Sequence, residues 1–244
     1  MRRIKLILTY DGTEYSGWQE QPGVATVQGT VEAALAGIIG RKVRVQSAGR
    51  TDAGVHAVAM PAVFDDLTTI PLRAFVEGLN SKLPSDIAVV SAEVVDPSFM
   101  VIGGAVSKTY RYTLYLSRLR NPLYRRSSWH VPYLLDVVAM ELAAKRFIGT
   151  HDFAAFRGQN CSAATTIRRI DSIAISVDGP LMTIDVSGGG FLKNMVRIIV
   201  GTLVDIGRGR FCESIVTELL LCPDRTRAGV TAPPHGLCLM SVRY

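Results

Sequence analysis

Apolar residues follow two periods along this chain, and the switch between them marks out its elements. Val43 and Val45 alternate with Lys42, Arg44 and Gln46, the two-residue period of a half-buried strand over 42–47. Ile4 to Tyr10, rich in β-branched and aromatic residues, reads as an earlier strand. Between the two, Val27, Val31, Leu35 and Ile38 recur at helical spacing and predict a helix over 27–39, with Gly40 as its stop. A strand over about 55–64 follows, then a helix opened by Pro71 with Leu72, Phe75, Val76 and Leu79 on one face, then a strand from Ile87 to Val95. The resulting order is β-α-β-β-α-β.

Pro97, Gly103 and Gly104 break the pattern over 96–107, so a boundary is expected there, between a domain of residues 1–104 and one of residues 105–244. The second half opens on a long strand, Val106 to Leu116. Its pattern predicts helices over about 134–148, 191–206 and 212–221, and strands over about 165–177, 181–186 and 237–243. Few of these strands lead into Gly-rich phosphate loops, which disfavours a nucleotide-binding doubly wound sheet. The reading is of an α+β protein whose halves share a similar element order.

Composition narrows the class. The chain has 244 residues, 48% apolar and 20% charged, in the range of ordinary globular proteins. No apolar run approaches the 18 or so residues of a membrane span, and Asp11 and Gly12 interrupt the N-terminus too early for a signal peptide, so a soluble cytoplasmic protein is expected. Cys161, Cys212, Cys222 and Cys238 form no C-x-x-C pair, and His56, His130, His151 and His235 lie far apart, so neither a disulfide framework nor a metal site is expected. The net charge of +6 is unevenly spread. Residues 1–104 carry nine Lys and Arg against eleven Asp and Glu; residues 105–244 carry eighteen against ten. A basic half suits a polyanion such as nucleic acid, or is a basic surface without a specific partner.

Four places carry candidate chemistry. In Ala48-Gly49-Arg50-Thr51-Asp52-Ala53-Gly54-Val55-His56-Ala57, two glycines bracket a cation, a hydroxyl and a carboxylate on a loop between strands. Asp52 is either a functional carboxylate or a residue that only hydrogen-bonds its own turn. Tyr110 and Tyr112 share one face of the strand 106–116, as a stacking platform for bases or as core. In the helix 191–206, Leu192, Met195, Ile199, Leu203 and Ile206 form the buried stripe, with Arg197 and Lys193 opposite, facing solvent or a cleft. Ser187-Gly188-Gly189-Gly190 precedes that helix where a phosphate could be held. Arg118, Arg120, Arg125 and Arg126 cluster around Asn121-Pro122, a phosphate-contacting loop or a solvated basic turn.

The run 48–57 resembles the signature loop of the TruA-type tRNA pseudouridine synthases. Lys108-Thr109-Tyr110-Arg111-Tyr112 is similar to that family's Lys/Arg-x-Tyr-x-Tyr strand, and Gly188-x-Gly190-Phe191-Leu192-x-x-Met195-Val196-Arg197 to its Arg-bearing helix. Tyr15-Ser16-Gly17-Trp18-Gln19, Thr26-Val27-Gln28-Gly29, Phe156-Arg157, Gly201-Thr202-Leu203 and Thr231-Ala232-Pro233-Pro234 resemble further family segments, so the likeness spans nearly the whole length. It implies two ferredoxin/RRM-like domains with largely antiparallel sheets, side by side around a central basic cleft. It implies that Asp52 is catalytic, that Tyr110 contacts the target uridine and that Arg197 pairs with Asp52, with Arg50, Thr51, His56, Lys193 and Phe191 as substrate-binding residues. The implied reaction converts uridine to pseudouridine at positions 38–40 of the anticodon stem-loop of tRNA. It is an isomerisation on a flipped-out base that needs no cofactor, carried out by a homodimer with one tRNA across both subunits. Asp52 would attack carbon 6 of the base, attack the ribose or remove a ribose proton; each route uses one carboxylate.

The chain departs from the pattern in two places. It reads Phe99-Met100-Val101-Ile102-Gly103-Gly104 where the family usually has Phe-His-Ala-Arg, and Val58-Ala59-Met60-Pro61 where a Gln tends to follow the signature loop. Two other readings remain at this stage: a non-catalytic RNA-binding protein in which Asp52 is a turn residue, and a nucleoside glycosylase or hydrolase, which would usually need a second carboxylate.

Overall fold

β1 (Arg2–Tyr10) shows the alternation its sequence dictates: Ile4, Leu6, Leu8 and Tyr10 are buried while the residues between them are partly open. A computed structural model describes all of residues 1–244. β1 leads through a loop to α1 (Val27–Ile39), which Thr26 caps by accepting from the Gly29 amide and which Gly40 ends at φ 77°. Next come β2 (Gln46–Ser47), β3 (His56–Asp66), a 3-10 turn over Leu72–Phe75, α2 (Glu77–Asn80) and β4 (Ile87–Val95). β3 and β4 flank β1 antiparallel, and β2 lies antiparallel on the outer edge of β3, giving the spatial order β4-β1-β3-β2.

The second compact unit, Ser107–Leu237, holds β5 (Ser107–Leu116), β6 (Trp129–Val131), α3 (Val137–Lys145), β7 (Gly149–Asp152), β8 (Ile167–Asp178), β9 (Leu181–Gly188), α4 (Met195–Gly207) and α5 (Ile215–Leu221). Its sheet runs β5-β9-β8-β7, all antiparallel, with β6 added parallel to β5. The last strand, β10 (Leu237–Arg243), pairs parallel with β3 through Cys238 opposite His56 and Leu239 opposite Ala57. Residues 238–244 therefore cluster with 1–106. Tyr244 completes that unit's packing: its hydroxyl donates to the Val101 carbonyl at 2.9 Å and its ring lies 4.8 Å from that of Phe99.

Several elements differ from the pattern reading. The strand expected over 42–47 forms its ladder only at Gln46–Ser47, which pair with Val63 and Ala62 of β3. The helix expected after Pro71 splits into the 3-10 turn and the four-residue α2. The helix expected from 191 begins at Met195, because Asn194 adopts φ 61° and ψ 3°, a left-handed conformation that asparagine tolerates better than most residues. Nor does α4 bury a single stripe: every one of its residues except Arg197 is buried. The short β6 and β7 lack the length for a recognisable alternation.

Candidate active site

Asp52 sits on an eight-residue connection between β2 and β3, in the unit built around β1. The loop closes on itself where the Val55 amide donates to the Asp52 carbonyl at 3.1 Å, and Gly54 takes φ 77°. Arg50 is exposed, Asp52 half-buried and Thr51 buried. The Thr51 hydroxyl shares a 2.9 Å hydrogen bond with the Tyr10 hydroxyl at the end of β1. The guanidinium and the carboxylate are thus presented while the hydroxyl between them anchors the loop to the sheet.

His56 opens β3. Its Nδ1 lies 3.0 Å from the Gly12 amide and 3.0 Å from the Asp11 carboxylate. A neutral ring with Nδ1 unprotonated accepts from the amide; a ring protonated there serves the carboxylate. Either state ties the start of β3 to the segment Asp11–Gln19. That segment is fixed in turn by α1, whose first amides, Val27 and Gln28, donate to the Gly17 and Trp18 carbonyls at 3.1 and 3.0 Å. The Tyr15 hydroxyl donates to Asp86 at 2.7 Å, and burial together with that carboxylate pushes the phenol well above its ordinary value.

In the other unit, Tyr110 and Tyr112 do share one face of β5, and both rings are largely out of solvent, Tyr110 at 8% exposure and Tyr112 at 0%. Tyr112 is core: its hydroxyl donates to the Pro233 carbonyl at 2.7 Å, and its ring leaves no room for a side chain at Gly236, where a Cβ would come within 2.6 Å. Tyr110 meets the edge of Phe191, centroids 5.4 Å apart at 90°. Phe191 and the exposed Lys193 stand on the loop before α4, so Lys193 does not lie on the helix as its spacing had predicted, and Ser187–Gly190 does not abut the helix N-terminus. Arg197 does lie on α4. Its Nε donates to the Ala232 carbonyl at 2.7 Å and another guanidinium nitrogen to the Asn194 side-chain oxygen at 2.9 Å, while the Ala232 amide returns a bond to the Arg197 carbonyl at 3.1 Å. The guanidinium is therefore held in one orientation.

Among the predicted residues, then, the first unit carries Arg50, Thr51, Asp52 and His56 on one loop and the start of β3, and the second sets Tyr110 against Phe191, with Lys193 just before α4 and Arg197 on it. Periodicity missed the residues that fix them: Tyr10, Gly12, Gly17 and Trp18 around the Asp52 loop, and Asn194 and Ala232 around Arg197. The glycine punctuation of 11–19 was the available signal for the first group; in the second, Asn194 lies only three residues from Arg197, but Ala232 lies 35 away, a contact that spacing does not encode.

Comparison with known proteins identifies the family. Residues 6–101 and 143–244 match the tRNA pseudouridine synthase family. The chain belongs to that family, which makes it an isomerase acting on tRNA uridines. It is similar to the tRNA pseudouridine synthase A of Pelobacter propionicus, with 57% identity over the full length of both chains. The tRNA pseudouridine synthase A proteins of Geotalea uraniireducens and Geobacter sulfurreducens are each 53% identical to it, again over the whole of both chains. No helix is long and apolar enough to cross a membrane.

Proposed function

We propose that this enzyme converts uridine to pseudouridine at positions 38–40 of the tRNA anticodon stem-loop, with Asp52 as its catalytic carboxylate. The observation that carries the reading is the Asp52 loop: a half-exposed carboxylate beside an exposed arginine, on a backbone fixed by hydrogen bonds from both ends. In the reaction the bond from the ribose to N1 of uracil breaks and one to carbon 5 forms. A proton leaves carbon 5 and N1 gains one, so atoms and electrons balance without a co-reactant.

The uracil must first leave its stack, which costs a few kcal/mol. The largely buried Tyr110, set edge-on to Phe191, supplies an aromatic surface whose orientation is already fixed when the base arrives. Arg50, exposed beside Asp52, suits a phosphate of the extruded nucleotide. Arg197 is proposed as a further catalytic residue. Support comes from the family resemblance and from the two hydrogen bonds that fix its planar fork. Lys193 and His56 are proposed as further contacts to RNA. A homodimer working in the cytoplasm, with one tRNA across both subunits, fits the same resemblance.

Mapping pseudouridine on unmodified tRNA transcripts tests the proposed position. The expected result is modification confined to the 3′ side of the anticodon stem-loop; modification elsewhere with that segment untouched would overturn it.

A further inference from the structure

Two glycines on the segment Asp11–Gln19 press directly on the backbone that carries Asp52. A Cβ on Gly17 would lie 2.6 Å from the Thr51 carbonyl oxygen and 3.1 Å from the Ala53 amide nitrogen. A Cβ on Gly12 would overlap the Val55 carbonyl outright. These obstacles are backbone atoms, which cannot rotate aside as a flexible side chain can. The same segment also grips the loop through hydrogen bonds: the Trp18 amide donates to the Thr51 carbonyl at 3.1 Å, and the Gly54 amide to the Tyr15 carbonyl at 3.2 Å. Trp18 is buried, and α1 holds its carbonyl and that of Gly17 from behind. The Tyr10 hydroxyl secures Thr51 from the β1 side.

We infer that Gly12 and Gly17 are positioning residues for the reaction: by letting the 11–19 segment lie in backbone contact with residues 51–55, they set the place of the Asp52 carboxylate. This rests on the assignment of Asp52 as the catalytic carboxylate. A side chain at either glycine pushes the loop outward, and a displacement near 1 Å at a reacting group costs about a hundredfold in rate. RNA binding, which draws on many charged contacts spread over the protein, is left nearly intact.

The chain supplies its own control. Gly17 has φ +88° and so combines left-handed backbone with the contact. Gly12 makes the contact without a left-handed φ. Gly23 has φ +77° with nothing within 4 Å of its Cβ position. Backbone strain and loop displacement are therefore separable.

The experiment compares Gly12→Ala, Gly17→Ala and Gly23→Ala with wild type, measuring single-turnover release of tritium from carbon 5 of uridine in tRNA, tRNA affinity and thermal midpoint. For Gly12→Ala and Gly17→Ala the expected result is a rate lower by about a hundredfold with tRNA affinity within about threefold of wild type. Gly23→Ala keeps its rate. A full rate in Gly12→Ala, or equal losses in all three, overturns the inference. Should the first two variants fold poorly, Tyr10→Phe removes only the hydroxyl that secures Thr51 and is expected to lower the rate about tenfold at unchanged affinity; an unchanged rate there counts against the inference. Asp52→Asn run alongside separates the two claims. If it stays active, the assignment of Asp52 fails; if it is inactive while Gly12→Ala is fully active, only the positioning inference fails.

Discussion

Tyr110 and Tyr112 stand two residues apart on one strand face, yet their surroundings differ. The Tyr112 hydroxyl donates to a main-chain carbonyl at Pro233, and burial pushes its phenol far above its ordinary value, with the Arg197 charge pulling the other way. It is a neutral donor in the core at any pH the protein meets. Tyr112→Phe is therefore expected to cost about 1 kcal/mol of stability, by leaving the Pro233 carbonyl without its donor, while the rate stays near wild type. Chemical denaturation alongside tritium release checks this; a large loss of rate at unchanged stability would move Tyr112 into the reaction. Period-2 alternation put both rings on one face, but it could not say which ring is sealed. That depends on Gly236, more than a hundred residues away, which admits the Tyr112 ring where any side chain would collide with it. The Asp52 loop stood out in the sequence for the opposite reason: its charged residues and its bracketing glycines lie within one short run.

At the level of elements, legibility followed length and local closure. The helix 27–39 and the strand 87–95 match their patterns end to end, since each has apolar period and stop signals in its own sequence. The start of α4 was misplaced because a single left-handed residue, Asn194, outweighs four residues of helical spacing. Its side chain packs against Gly158, where a Cβ would come within 2.7 Å of the Asn194 side-chain Nδ2. The end of β3 illustrates a polar element that pattern alone undervalues. Asp66 is fully buried and accepts from the Arg2 Nε and the Thr68 amide, both at 2.9 Å, and from the Thr68 hydroxyl at 3.1 Å. Burial alone would raise its carboxyl, but the Thr68 bonds and the Arg2 guanidinium outweigh this and hold it below 3.8. A carboxyl depressed in the folded state contributes stability above its unfolded value, and that contribution is lost as the pH falls through the folded value. Asp66→Asn is accordingly expected to destabilise by about 1–3 kcal/mol at pH 7, with the deficit shrinking below about pH 4. Urea denaturation at pH 7 and pH 3 measures both; a deficit that does not change with pH would contradict this account.

For the whole molecule, the charge asymmetry read from sequence marks the part of the chain most suited to a polyanion, and the exposed arginines between β5 and β6 are its densest stretch. Arg118 and Arg120 are exposed, on a segment ordered by the Asn121 side chain accepting from the Leu123 amide at 3.0 Å. Replacing both with Glu is expected to weaken tRNA binding and to flatten the dependence of log affinity on log salt by about 1.5, from roughly 0.7–0.9 per phosphate contact. An unchanged slope would remove this loop from the RNA-binding surface. What composition and period could not reveal was the route of the chain's end. β10 joins β3 beside His56 through backbone hydrogen bonds, which leave no trace in side-chain pattern.

The central claim, that a single carboxylate on the 48–57 loop isomerises tRNA uridine, is tested most directly by tritium release from tRNA labelled at carbon 5 of uridine, comparing wild type with Asp52→Ala in the absence of any added cofactor. The account predicts release with wild type and none with Asp52→Ala, although the variant still binds tRNA. Release at a comparable rate by Asp52→Ala would contradict it.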